Sequence, residues 1–222
     1  ERRLTAETLL VALGRRPNVA GLGLDAIGVE FDRHGINVDA RQRTSRRHIF
    51  AAGDVTGGHQ FTHAAGYQGG IVASNAVFHL PRKASYTWLP WCTYTDPELA
   101  RVGLSEDEAK QRGVPHKVYR FAFDEIDRAR AEGETEGFAK LVTDPKGVIV
   151  GAAIVGPHAG ELIAECALAL SKGMKAGDLS AVIHAYPTLA SINRRAADQR
   201  LKEGLTPSSK AWIRRIFGLR GA

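Results

Sequence analysis

A chain of 222 residues, 44% of them hydrophobic, can bury a core and divide into more than one domain, and no apolar run in it approaches the ~18 residues that a membrane-crossing helix needs. The formal charge of +6 is spread along the chain, with basic clusters only at Arg194 and Arg195 and at Lys210, Arg214, Arg215 and Arg220; no recognised motif accompanies them, so no nucleic-acid partner is expected. The two cysteines, Cys92 and Cys166, are far apart and form no CxxC, which argues against a disulfide framework or a zinc site; they read as buried thiols, and with no signal-peptide layout at the start the expected location is cytoplasmic.

The first apolar run, Leu9 to Leu13, has the pattern of a buried strand and leads into Gly14, Arg15, Arg16, Pro17 and Asn18. Residues 21–26, GLGLDA, match a dinucleotide fingerprint on paper. The context rejects it, because Pro17 and Asn18 precede it where a strand is required and the β-prone Gly28 to Phe31 follows where a helix is required. Ile49 to Ala52 form the next predicted strand, stopped by Gly53 and Asp54. A Gly-rich turn and a helix of small residues from about His63 come after it. His59 and His63 are four apart, but no third ligand is near and Gly57-Gly58 sets His59 ahead of the helix, so no metal site is expected.

After Pro81, Arg82 and Lys83 the character changes. WCTYT, ARVGL, HKVYRFAF, GFAKLVT and GVIVGAAIV read as strands, the last two joined as a hairpin through Pro145 and Gly147. Ser105 caps a short helix with acidic residues in its first turn and a stop at Gly113. A longer helix over 159–172 offers Leu162, Ile163, Cys166, Ala167 and Leu170 as a stripe suited to burial. This half reads as an α+β unit with an antiparallel sheet, distinct from the α/β pattern before it.

A strand followed by Gly, a carboxylate and a helix N-terminus is a sensible corner for a hydroxyl-bearing ligand, because in open α/β sheets ligands sit at the carboxyl ends of strands. The run Thr44, Ser45, Ile49, Phe50, Ala51, Ala52, Gly53, Asp54, Val55 resembles the second flavin-binding motif of the pyridine nucleotide-disulfide oxidoreductases, the family of dihydrolipoamide dehydrogenase, glutathione reductase and mercuric reductase. The resemblance implies that Gly53 and Asp54 hold the ribityl chain of FAD and that the helix start at Phe61, Thr62 and His63 faces the pyrimidine edge of the flavin. Read without the resemblance, Asp54 could equally cap a turn. GRRPN resembles the end of the family's NAD(P)H-binding domain, and TDPELARVGLSEDEA, GFAKLV, GAAIVGPHAGELI and YPTLA resemble its interface domain.

The layout implied is the end of an NAD(P)-binding domain over 1–18, a returning segment of a Rossmann-like FAD domain over 19–84, an antiparallel-sheet dimerisation domain over 85–204 and a basic amphipathic tail over 205–222. The chain would then be a carboxyl-terminal fragment of a homodimeric enzyme acting on a small-molecule or disulfide substrate, and inactive alone. An assembly module that dimerises without stable FAD is the alternative.

The pattern breaks at one place. The family carries a catalytic His before a Pro and a Glu beyond it, whereas this sequence reads His184, Ala185, Tyr186, Pro187, Thr188, Leu189, Ala190, Ser191. A free Tyr has a pKa near 10, roughly 3.5 units above an ordinary His, so Tyr186 is a poor base at neutral pH. Mercuric reductases are similar in placing Tyr in this region, yet their carboxyl-terminal vicinal cysteine pair has no counterpart before the final GLRGA. His184, two places from Tyr186 and on the same side of an extended segment, is either a replacement base or a histidine that shapes the loop. The resemblance also implies a cis bond before Pro187. In the tail, Pro207 breaks the preceding helix and Ser208 or Ser209 caps a new one with Trp212, Ile213, Ile216 and Phe217 on one face. Docking of that face on the protein, or disorder, is expected rather than membrane contact.

Overall fold

The computed structural model describes residues 3–218, and these divide into two compact units on either side of the Ser85–Tyr86 bond. In the first unit β1 (Phe31–Asp32) and β2 (Gly35–Ile36) pair antiparallel, and α1 (Thr62–Ala76) is the one long element. A small core of Leu24, Val29, Ile36 and Ala51 holds the loops together. Two expected strands do not form here. Ile49 to Ala52 makes a single bridge, Phe50 to Arg43, and Leu9, Leu10, Val11 and Leu13 are 84%, 87%, 64% and 94% exposed. Their apolar patterns are those of strands, but a strand needs a hydrogen-bonding neighbour on its edge, and the first unit offers none beyond that bridge.

The second unit is built on five antiparallel strands in the order β3-β4-β7-β6-β5: β3 (Trp91–Thr93), β4 (Glu98–Gly103), β5 (Lys117–Ala122), β6 (Phe138–Thr143) and β7 (Ile149–Gly156). The alternation read from the sequence sets the face, with Ala100 and Val102, Tyr119 and Phe121, Ala139 and Leu141, and Ala152 and Ile154 buried, though the central strands β6 and β7 also bury Val142 and Gly151 between them. Asp144 closes the β6–β7 turn. Its carbonyl accepts from Gly147 N at 2.9 Å and its Oδ1 from Val148 N at 2.8 Å, a role the sequence reading gave to Pro145 and Gly147.

α2 (Glu106–Gln111) starts with a reciprocal cap, Ser105 Oγ accepting from Glu108 N at 3.1 Å and Glu108 Oε2 from Ser105 N at 2.7 Å. α3 (Asp127–Glu132) and α5 (Ala176–Ala181) are short turns that the periodicity did not reveal. α4 (Ala159–Ser171) lies over β4 and β7, α6 (Ser191–Glu203) lies over β5 and β6, and the two helices touch each other. The apolar stripe of α4 is therefore spent on its own sheet: Leu162, Ile163, Cys166 and Leu170 are buried there together with Ala169, and Ala167 is only half-buried. α7 (Pro207–Phe217) follows with Thr206 as its cap, accepting from Ser209 N at 3.1 Å and placing Pro207 in the first turn, so neither Ser208 nor Ser209 is the cap residue. Trp212, Ile216 and Phe217 are exposed, so of the two expected outcomes, docking and disorder, docking of this face is not seen. Arg220 and Gly221, assigned above to the tail, lie outside the described residues. No helix among the described residues is long and apolar enough to cross a membrane.

Candidate functional site

Gly53 and Asp54 stand where the Ile49 to Ala52 run ends. Gly53 has φ 82°, a left-handed conformation, and a Cβ there would lie 3.3 Å from the Ala65 Cβ in the second turn of α1, so the corner is narrow and suited to Gly. Its N–H donates to the buried Gln68 Oε1 at 2.5 Å, which ties the corner to the helix behind it. Asp54 opens a single 3-10 turn, Asp54–Thr56, closed by Gly57 at φ 71°. No side chain is possible at Gly57, since a Cβ would fall 1.4 Å from the His34 carbonyl oxygen.

The Asp54 carboxylate does not cap the turn through its side chain. Its Oδ2 accepts from Arg15 Nη1 at 2.8 Å, and the same guanidinium donates to the Gln60 carbonyl, so Arg15 joins GRRPN to both sides of the corner. The Asp54 side chain keeps 44% of its surface accessible. Phe61 is the residue ahead of α1, Thr62 and His63 form its first turn, and the Phe61 and His63 rings stack at 5.2 Å with 13° between planes. No acidic residue occupies that turn, which leaves the positive end of a 15-residue helix uncompensated by a carboxylate. A half-open carboxylate, a close-approach glycine and a helix start without acidic residues fit a polyhydroxylated ligand with an electron-rich edge. Sequence reasoning named five of these residues; it missed Arg15 and Gln68 because their partners are 39 and 15 residues away.

In the second unit, the Tyr186–Pro187 bond is cis, as is Asp96–Pro97. Tyr186 is 76% exposed, and its hydroxyl donates to Asp127 Oδ2 at 3.1 Å. That bond holds the phenol above its ordinary pKa, because the adjacent carboxylate disfavours phenolate. His184 turns the other way. Its Nε2 lies 2.9 Å from Glu165 Oε1, its Nδ1 lies 3.1 Å from the Val182 carbonyl oxygen, and its side chain is only 7% exposed. Asn193 Nδ2 completes the arrangement, donating to Glu165 Oε2 at 2.8 Å and to the Leu162 carbonyl at 3.0 Å.

Tyr186 and His184 thus border one shallow cleft with Asp127, Arg128, Arg194 and Arg195, but their polar atoms point to different partners. The segment is irregular, so the expectation that residues two apart share a side does not hold. Ser191 donates to the Thr188 carbonyl at 2.7 Å. Asp127 is the carboxylate that meets the phenol, 59 residues away in sequence and for that reason invisible to spacing.

The family model described as "Pyridine nucleotide-disulphide oxidoreductase" matches residues 1–69, and the one described as "Pyridine nucleotide-disulphide oxidoreductase, dimerisation domain" matches residues 89–197. A dihydrolipoyl dehydrogenase of Geobacillus stearothermophilus is 42% identical over 200 residues, which cover 89% of this chain and 42% of that protein. Among solved structures, LpdA of Mycobacterium tuberculosis superposes with a TM-score of 0.78 at 28% identity, covering 83% of this chain and 40% of its own. The HOCl-induced flavoprotein disulfide reductase RclA of Escherichia coli does so with a TM-score of 0.78 at 28% identity, covering 84% and 44%. The chain spans less than half the length of these relatives. Two adjoining family models along one chain, together with the antiparallel sheet and the Gly53–Asp54 corner, carry one conclusion: the chain belongs to the pyridine nucleotide-disulphide oxidoreductases.

Proposed function

We propose that this chain closes the flavin site and supplies the subunit interface of a homodimeric, FAD- and NAD(P)H-dependent disulfide oxidoreductase of the cytoplasm. It is mercuric-reductase-like in that Tyr186 stands in place of the usual His. On this reading residues 1–18 end the nicotinamide-nucleotide domain, 19–84 return to the flavin domain, 85–204 form the interface and 205–222 the tail. Bound there, FAD supplies two-electron chemistry between a reduced nicotinamide and a disulfide. Asp54 would accept a ribityl hydroxyl, Arg15 would fix which carboxylate oxygen remains for it, and the start of α1, at Phe61, Thr62 and His63, would face the pyrimidine edge. Tyr186 reaches the redox site of the partner subunit as a neutral hydrogen-bond donor or acceptor, and the His184 ring braces the loop that carries it. The exposed apolar residues Leu9, Leu10, Val11 and Leu13 support the presence of a further packing partner in the intact enzyme.

The observation that carries the reading is the half-open Asp54 carboxylate, oriented by Arg15 beside a helix N-terminus without acidic residues. In the intact protein Asp54→Ala should release FAD, with the flavin dissociation constant rising by about ten- to a hundredfold, since a hydrogen bond to a charged acceptor contributes about 1.5–3 kcal/mol. The interface unit should remain folded. Flavin absorbance that co-purifies unchanged with Asp54→Ala would return Asp54 to a turn-forming role, whereas an intact wild-type protein that dimerises without flavin absorbance would favour the assembly module.

A further inference from the structure

The sequence reading found basic clusters only toward the carboxyl end. It passed over the run Arg41 to His48, which the fold gathers with His79 around one concavity. Arg41, Arg43, Arg47, His48 and His79 line a cavity of about 540 Å³ in the first unit, together with Phe50, Asn75, Ala76, Leu80 and Pro81. That volume lies in the range of small-molecule sites, about 300–1,000 Å³. It shares no residue with the Asp54 corner. Part of its wall, Asn75 to Pro81, falls in the stretch between the two family matches.

The wall carries three guanidiniums and no carboxylate. Arg43 is neutralised from behind by Asp39, at 2.6 and 2.8 Å. Arg41 and Arg47 make no ion pair among the described residues. The C-terminal end of α1 contributes about half a negative charge nearby, which leaves most of the positive charge of Arg41 and Arg47 without a counter-charge. Like charges gathered around a concavity raise the local concentration of anions. The backbone beneath is fixed before any ligand arrives: Asn75 donates to the Arg41 and Arg82 carbonyls at 3.0 and 2.9 Å and accepts from Arg82 N at 2.9 Å, while Ala84 N donates to the Ala40 carbonyl at 2.7 Å. Two guanidiniums outside any ion pair among the described residues and two imidazoles supply N–H groups of the kind from which phosphate oxygens accept.

We infer that this cavity is a binding site for a small phosphate-bearing anion. Inorganic pyrophosphate is the probe, titrated calorimetrically into the intact flavin-loaded protein with saturating NAD present to fill the nicotinamide-nucleotide site. One pyrophosphate should bind per chain and raise the unfolding temperature. The double variant R41Q/R47Q should weaken binding at least about tenfold and abolish that thermal shift, while keeping its flavin and unfolding at the same temperature or higher, because it removes crowded like charges. Lys146→Gln, on the β6–β7 turn, should bind as the wild type does. No pyrophosphate uptake at millimolar concentration, or R41Q/R47Q binding as tightly as the wild type, would overturn the assignment.

Discussion

Tyr186 illustrates how one residue changes its chemistry through its neighbour. A phenol whose hydroxyl donates to the Asp127 carboxylate stays neutral through the physiological range, so it keeps its proton there. Asp127→Asn removes the negative charge but keeps an acceptor oxygen. The Tyr186 ionisation, read as the ultraviolet phenolate difference between this variant and its Tyr186→Phe counterpart, should then move down toward the ordinary tyrosine value. An unmoved titration would mean that the Asp127 contact is not maintained in solution. Tyr186 itself was legible from the sequence because a cis-Pro motif surrounds it, and Asp54 because a glycine precedes it at a predicted strand end. Arg15, Gln68 and Asp127 were not. Each acts through a side chain that reaches across the fold, and no periodicity encodes such a reach.

At the scale of elements, the five strands of the second unit were readable, each with a partner strand in the same unit, while the two-residue strands β1 and β2 were too short to show an alternation. β6 and β7 are joined by a tight turn and stand out in the sequence, whereas Ile49 to Ala52 and Leu9 to Leu13 carry strand patterns without a neighbouring edge. α3 and α5 escaped notice because six residues are too few to show a helical period. The end of α6 is fastened to β5 by Glu203, which accepts from the Tyr119 hydroxyl at 2.7 Å and from Lys117 Nζ at 2.6 Å. Burial, with the hydrogen bond and charge of Glu203, pushes the Tyr119 phenol up to about 12. The raised value fixes the sign. The contribution is fully present below about pH 10, where both folded and unfolded chains carry the neutral phenol. It falls as pH rises, because the unfolded chain ionises first, and is lost as the folded phenol titrates near 12. Tyr119→Phe should cost about 0.5–1.5 kcal/mol at neutral pH by denaturant unfolding and should flatten the alkaline decline above pH 10. An alkaline limb as steep as that of the wild type would assign the decline to other groups.

For the whole molecule, the apolar stripe of α4 is buried against β4 and β7, so the proposed dimer must use other surfaces of the second unit. Sedimentation of the intact flavin-loaded protein at micromolar concentration should give a dimer, and truncation after Gly204 should leave it a dimer, since α7 lies beyond the segment matched to the dimerisation domain. A monomer in either case would remove the interface from the reading. The two cysteines have a different use. Burial pushes the Cys166 thiol up to about 12, and burial with the Glu98 carboxylate raises Cys92, so neither forms thiolate readily while folded. Reaction with a thiol reagent near neutral pH then counts openings instead of surface access. Cys92 lies on the edge strand β3 and reports fraying of the sheet, whereas Cys166 lies between α4 and the sheet and waits for the unit to come apart. Followed by peptide mass, Cys92 should be modified first and Cys166 at the rate of global unfolding: the chain carries two clocks of its own stability, one set to its margin and one to its centre.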